Sequence, residues 1–131
     1  MLPELRQLAN DIIAAQEKEI AQMAVWRKAW YPKAGDKLMK WHGEMKHSME
    51  MTPELRKSMM MTMDLGKADD QFDLRFIDAM VPHHEGALLM AKDAIAKSKR
   101  PEIQKLAQEI LDSQKQEIAQ MQAWRKDWYG K

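Results

Sequence analysis

Residues 101–129 read PEIQKLAQEILDSQKQEIAQMQAWRKDWY, and this stretch decides the fold. Its apolar residues recur every three or four positions, which is the period of an amphipathic helix. Pro101 suits the first turn of such a helix, and Gly130 suits its end. The stretch therefore predicts one long helix of about 27 residues, near 40 Å at 1.5 Å per residue.

A second copy of this helix lies at the start of the chain. Residues 3–31 align with 101–129 without a gap, and 16 of the 29 positions are identical. In both copies a glutamine and a glutamate continue the apolar stripe, at Gln16 and Glu19 and again at Gln114 and Glu117. Two copies are too few for a solenoid, which needs at least about three repeats. We therefore expect two related helices within one bundle.

The region between the copies predicts two more helices. Thr52-Pro53-Glu54 is a start signal for a short helix that runs to about Asp64 and ends at Gly66. Asp69 or Asp70 then caps a long helix through about Ser98, with Pro82 inside it. Residues 33–51 have weak periodicity and are interpreted as a loop with room for a short helix. No segment shows sustained β alternation.

These elements predict an all-α fold, a four-helix bundle with a Met-rich connection between the first and second helices. One domain would cover residues 1–131. It would contain the repeated helices 3–31 and 101–129, the Met-rich connection and short helix 33–66, and a His-His helix 69–98. The chain length suits one domain by the rule of roughly 100–200 residues per domain.

Charge and hydropathy exclude several partners. The net charge is +1, and basic and acidic residues are interleaved without a block of like charge, so we expect no nucleic-acid partner. No apolar run approaches the roughly 18 residues of a membrane span, so we expect no membrane insertion. Residues 1–4 lead directly into a charged helical pattern, so no signal peptide is expected within this chain.

Methionine usage points to a soft metal. The chain has 13 Met and no Cys, and eight of the Met lie between Met39 and Met63, beside His42 and His47. Thioether sulfur is a soft ligand that selects Cu(I) and its chemical relative Ag(I). The stretch 39–51 lacks helical core spacing and is interrupted by charges, which favours ligands over packing. The candidates here are Met39, His42, Met45, His47, Met49, Met51, Met59, Met60 and Met63.

A second candidate site comes from folding the last two helices as a hairpin about Lys99. His84 then lies level with Gln114, and Met80 lies level with Ile118. One layer would bring together Met80, His83, His84, Glu117 and Met121, with Met90 on the same face as His83. Two alternatives stay open. The methionines also suit core packing, and His84 also suits a hydrogen bond to Glu117 without a metal.

The string FIDAMVPHHEGALLMA at residues 76–91, followed by Ile110, Gln114, Glu117, Met121 and Trp124, resembles the bacterial domain-of-unknown-function family 305. The resemblance implies a ferritin-like helical bundle that is typically exported. The residues that match its signature are Met80, His83, His84, Met90, Gln114, Glu117 and Met121. The Met-rich insert further resembles that of a cyanobacterial periplasmic copper-resistance member of the family, which binds Cu(I) and Ag(I). The first copy lacks the His-His helix.

The sequence thus predicts a metal-binding protein rather than an enzyme. It would sequester Cu(I), and Ag(I) by similarity, in the periplasm or outside the cell. Cu(II) is a further candidate through His42 and His47, and a copper efflux or delivery protein is a candidate partner. A di-iron enzyme would need Glu-x-x-His motifs on helices. The single match, Glu44 to His47, lies in the expected loop. The alternative is a structural or protein-interaction module with Met as an adaptable contact surface.

Overall fold

The computed structural model describes residues 1–35, 37, 39–42, 45–61 and 63–131, with His42, Leu55 and Ser58 described by their backbone only. The chain is mostly helical. Three long helices are α1 (Pro3–Trp30), α3 (Phe72–Lys97) and α4 (Pro101–Tyr129), and α2 (Pro53–Met60) is short. Two strands, β1 (Met39–His42) and β2 (His47–Glu50), form an antiparallel hairpin. None of the described helices is long and apolar enough to cross a membrane.

Helices α3 and α4 form an antiparallel pair joined by a short connection, residues 98–100, in which Ser98 and Arg100 have extended backbone. Pro101 occupies the first turn of α4, where the missing N–H costs no hydrogen bond. Gly130 ends the helix in the left-handed conformation (φ 63°) and donates its N–H to the Lys126 carbonyl oxygen at 2.8 Å. Both helix signals in the sequence are therefore confirmed for α4. Between the helices, Arg125 Nε donates to Asp78 Oδ1 at 2.7 Å.

Residues 1–15 and 65–131 form one compact unit. Its main core holds Leu5, Leu8 and Ile12 of α1 with Ile77 of α3 and Met121 of α4. Partly buried side chains packed on this core are Phe76, Met80, Val81, Trp124 and Trp128. Trp124 and Trp128 stack with ring centroids 5.2 Å apart. A smaller cluster of Ala91, Ala107 and Leu111 packs nearer the α3–α4 turn.

Residues 16–64 form a second compact unit that contains the rest of α1, the hairpin and α2. Trp26 and Trp30 of α1 stack with centroids 5.4 Å apart, as their repeat partners do in α4. The hairpin shows that the interpretation of 33–51 as a loop without strands was wrong. Each strand is only four residues long, which is too short for sustained alternation to appear in the sequence.

The bounds of two helices also differ from the prediction. Helix α2 ends at Met60 rather than near Asp64, because Met61 takes a left-handed conformation (φ 53°). Helix α3 begins at Phe72, and its N-cap residue Gln71 makes no side-chain cap. Asp69 Oδ1 instead accepts hydrogen bonds from the Gln71 N–H (3.0 Å) and from Arg75 (2.9 Å). Helix α3 is continuous through Pro82.

Candidate metal centre

A buried histidine and a glutamate join the middle of α3 to the middle of α4. His84 is 0 % exposed, and its Nε2 lies 2.6 Å from Glu117 Oε2. The opposite ring nitrogen, Nδ1, is buried and has no hydrogen-bond partner among the described residues. Buried polar atoms in native proteins are almost always paired, so an unpaired one calls for an explanation. Within the compact unit of residues 1–15 and 65–131, the ring therefore has one hydrogen-bonded nitrogen and one nitrogen without a hydrogen-bond partner.

Two thioethers lie one turn from this pair. Met80 precedes His84 by four residues on α3, and Met121 follows Glu117 by four on α4. The helices are antiparallel, so these two steps run in the same direction, and the two methionines lie at one level. Met121 is 0 % exposed, and Met80 packs against its cluster. Of the five residues that the sequence placed in one layer, the structure thus brings Met80, His84, Glu117 and Met121 together.

His83 and Met90 are placed differently. His83 is half-buried, and its ring centroid lies 6.4 Å from that of His84. Burial, and after it the charge of His84, lower the pKa of His83 below its usual range. Met90 is 64 % exposed, so it is not part of the buried layer. Its expected place on the core face beside His83 was wrong, because the buried stripe of α3 runs through Ile77, His84 and Ala91.

The hairpin orders part of the Met-rich stretch. Paired residues of antiparallel strands lie on the same face, and successive residues alternate. Met39 pairs with Glu50 and Lys40 with Met49, so His47 and Met49 share one face and Met39 lies on the other. His47 Nδ1 donates to the Ser48 carbonyl oxygen at 3.0 Å. The signal for this face in the sequence was the spacing of two residues between His47 and Met49.

The remaining candidates of the Met-rich stretch are mostly exposed. The backbone of His42 pairs with that of His47, but the His42 side chain lies outside the described part of the structure. Met45 is 66 % exposed in the hairpin turn, and Met59 and Met63 are also exposed. Met51 and Met60 border one open cleft of about 620 Å³. Within the described residues, no three His, Asp or Glu side chains cluster in a way that suits a metal ion.

Comparisons with known proteins match nearly the whole chain. The model of the family described as Domain of unknown function (DUF305) matches residues 2–125. The structure of CopM in the Cu(I)-bound form is 32 % identical, with a TM-score of 0.72, over 98 % of this chain and 79 % of that one. CopM in the Cu(II)-bound form is 34 % identical, with a TM-score of 0.69, over 98 % and 80 %. CopM co-crystallised with silver is 32 % identical, with a TM-score of 0.69, over 98 % and 78 %.

A curated relative matches a shorter part of the chain. The uncharacterized protein L153 of Acanthamoeba polyphaga mimivirus is 39 % identical over 49 residues. The matched segment is 37 % of this chain and 32 % of that protein, so the chain spans about a third of this relative. The similar solved structures include copper-bound and silver-bound forms of one protein and also its apo form.

Proposed function

The chain belongs to the family described as Domain of unknown function (DUF305), and from this premise we propose that it binds copper as its cargo. It would sequester Cu(I), and also Ag(I), through Met and His ligands in the periplasm and so contribute to copper resistance or homeostasis. The observation that carries the proposal is the match at 32–34 % identity over 98 % of the chain to CopM in its Cu(I)-bound and Cu(II)-bound forms. A ferritin-like four-helix bundle is part of the same proposal.

The metal-ligating atoms within the compact unit of residues 1–15 and 65–131 suit a soft monovalent ion. The unused Nδ1 of His84 and the thioethers of Met80 and Met121 are neutral, soft or borderline ligands. No Cys is present, so no thiol has to lose a proton or be protected from oxidation. We propose these three side chains, with His83 beside them, as the principal site. Glu117 is a further candidate ligand.

The Met-rich stretch would supply weaker, exchangeable sites. Its methionines are largely exposed, and the face of His47 and Met49 offers imidazole and thioether donors side by side. Imidazole also suits Cu(II). A copper efflux or delivery protein is the proposed partner for ions released there. The protein would carry its cargo without catalysing a reaction.

One observation favours a second candidate function. Several methionines, among them Met45, Met60 and Met63, are at least half exposed. Exposed, flexible Met side chains form adaptable contact surfaces in promiscuous binding proteins. A non-catalytic protein-interaction module would use these residues without copper. A metal titration separates the two functions.

The test is a Cu(I) titration of the purified protein against a competing chromophoric chelator. We expect stoichiometric binding that is lost largely in a His83→Ala/His84→Ala double variant. Leucine at the eight methionines of 39–63 should remove only the weaker sites. Each Leu keeps the side-chain volume and deletes sulfur, and circular dichroism would verify the fold. Absence of stoichiometric binding by the wild-type protein would remove the proposal and leave the interaction module.

A further inference from the structure

The contact between His84 and Glu117 fixes where the imidazole hydrogen sits. An ionised carboxylate has no hydrogen to donate, so at 2.6 Å the His84 Nε2 must be the donor and Glu117 Oε2 the acceptor. An imidazole binds a metal ion in its neutral form, and in that form it carries one N–H only. The hydrogen on Nε2 therefore leaves a lone pair on Nδ1.

That lone pair points into the protein rather than toward a hydrogen-bond donor. The His84 side chain is fully buried, and Nδ1 meets no donor among the described residues. Metals bind the unprotonated nitrogen of a neutral imidazole, and the other N–H of such a histidine is usually held by a carboxylate or carbonyl. His84 has this arrangement: its Nδ1 is unprotonated and without a hydrogen-bond donor in the described part of the chain, and its Nε2–H is held by the Glu117 carboxylate.

We propose that Glu117 is a positioning residue, which holds the His84 hydrogen on Nε2 and so makes Nδ1 the metal-facing donor atom. This inference rests on the proposed copper-binding function. Glu117 would then contact the ligand His84 and would not itself bind the metal ion. This role agrees with ligand softness, because a carboxylate oxygen is a hard donor that suits hard cations better than Cu(I).

The first measurement needs no metal and no variant. Nitrogen-15 NMR of the histidine side chains in the metal-free wild-type protein distinguishes a protonated from an unprotonated ring nitrogen. We expect His84 to show a hydrogen on Nε2 and a lone pair on Nδ1. A His84 that carries its hydrogen on Nδ1 overturns the inference.

The second measurement compares Glu117→Gln with Glu109→Gln. Both remove one negative charge from α4, and Glu109 is exposed. A Gln side chain can accept from Nε2–H or donate to Nε2, so it no longer selects one tautomer. We expect a mixed His84 tautomer and Cu(I) affinity weaker by roughly 10–100-fold in Glu117→Gln. Glu109→Gln should behave as wild type in both respects.

The failure of this inference can be told from the failure of the proposed function. If His84→Ala loses Cu(I) affinity while Glu117→Gln keeps both the wild-type affinity and the wild-type tautomer, Glu117 has no positioning role and copper binding stands. If His84→Ala binds Cu(I) as tightly as wild type, the proposed principal site is overturned, and the inference falls with it.

Discussion

Met121 is the residue at which packing and metal binding can be separated most clearly. It is 0 % exposed in the main core, so Met121→Ala should destabilise the protein by about 2–5 kcal/mol through lost contacts and a cavity. Met121→Leu keeps the volume and the apolar character, and it should cost less than about 1.5 kcal/mol. The leucine variant therefore removes the sulfur atom and spares the fold.

If the thioether of Met121 binds Cu(I), Met121→Leu should weaken the affinity at least about tenfold, or ~1.4 kcal/mol at 25 °C. Met90→Leu is the matched control, because Met90 belongs to the same sequence signature but is 64 % exposed. Urea denaturation of the metal-free proteins gives the stabilities, and chelator competition gives the Cu(I) affinities. Wild-type affinity in Met121→Leu, with a loss in Met90→Leu, would refute the placement of the site in the core.

Three further predictions concern the metal-free fold. In urea denaturation Leu5→Ala should lower the free energy of unfolding by about 2–5 kcal/mol, and Ile13→Ala by no more than about 0.5 kcal/mol, because Leu5 is fully buried and Ile13 is exposed on the same helix. Equal effects of the two substitutions would contradict the packing of α1. Gly66→Ala should cost about 1–2 kcal/mol by the same assay because φ is +82°, although the new Cβ would meet only the Arg75 side chain at 3.6 Å; an unchanged stability would argue against that backbone conformation. The pKa of His83 is lowered from 6.5 in the folded protein, so the unfolded chain binds more protons below about pH 6.5 and the free energy of unfolding should fall on acidification. In urea titrations His83→Gln should show a smaller fall between pH 7 and pH 5, and a fall identical to that of the wild type would count against the burial of His83.

The register of α3 against α4 was predicted to within one helical turn. Folding the chain about Lys99 placed His84 level with Gln114, whereas the observed partner is Glu117. The pairing of His84 with Glu117 places the centre of symmetry between residues 100 and 101, just past Lys99. With this shift Met80 lies level with Met121. Equal helical rise made the layer predictable, whereas the exact pairs within it were not decided by the sequence.

The rotation of α3 was not decided by the sequence. Two apolar stripes run along this helix, one through Met80, His83 and Met90 and the other through Ile77, His84 and Ala91. Neighbouring residues lie about 100° apart on a helix, so the choice depends on where the partner helices lie. The structure buries the second stripe, which exposes Met90 and leaves His83 half-buried. Likewise, the duplicated stripe of α1 is buried only at Leu5, Leu8 and Ile12.

Each copy of the repeated helix contains one stacked tryptophan pair, which can serve as a spectroscopic probe of that copy. The indole planes are inclined by only 11° in Trp26–Trp30 and by 8° in Trp124–Trp128. Stacked indoles this close share their electronic excitation, and where their transition dipoles are rotated relative to one another within the planes, a paired band appears in circular dichroism and vanishes when the stack opens. One pair lies in each compact unit. Replacing one tryptophan of either pair by phenylalanine would silence that unit's band, so the melting of each half of the molecule could be followed separately in unlabelled protein.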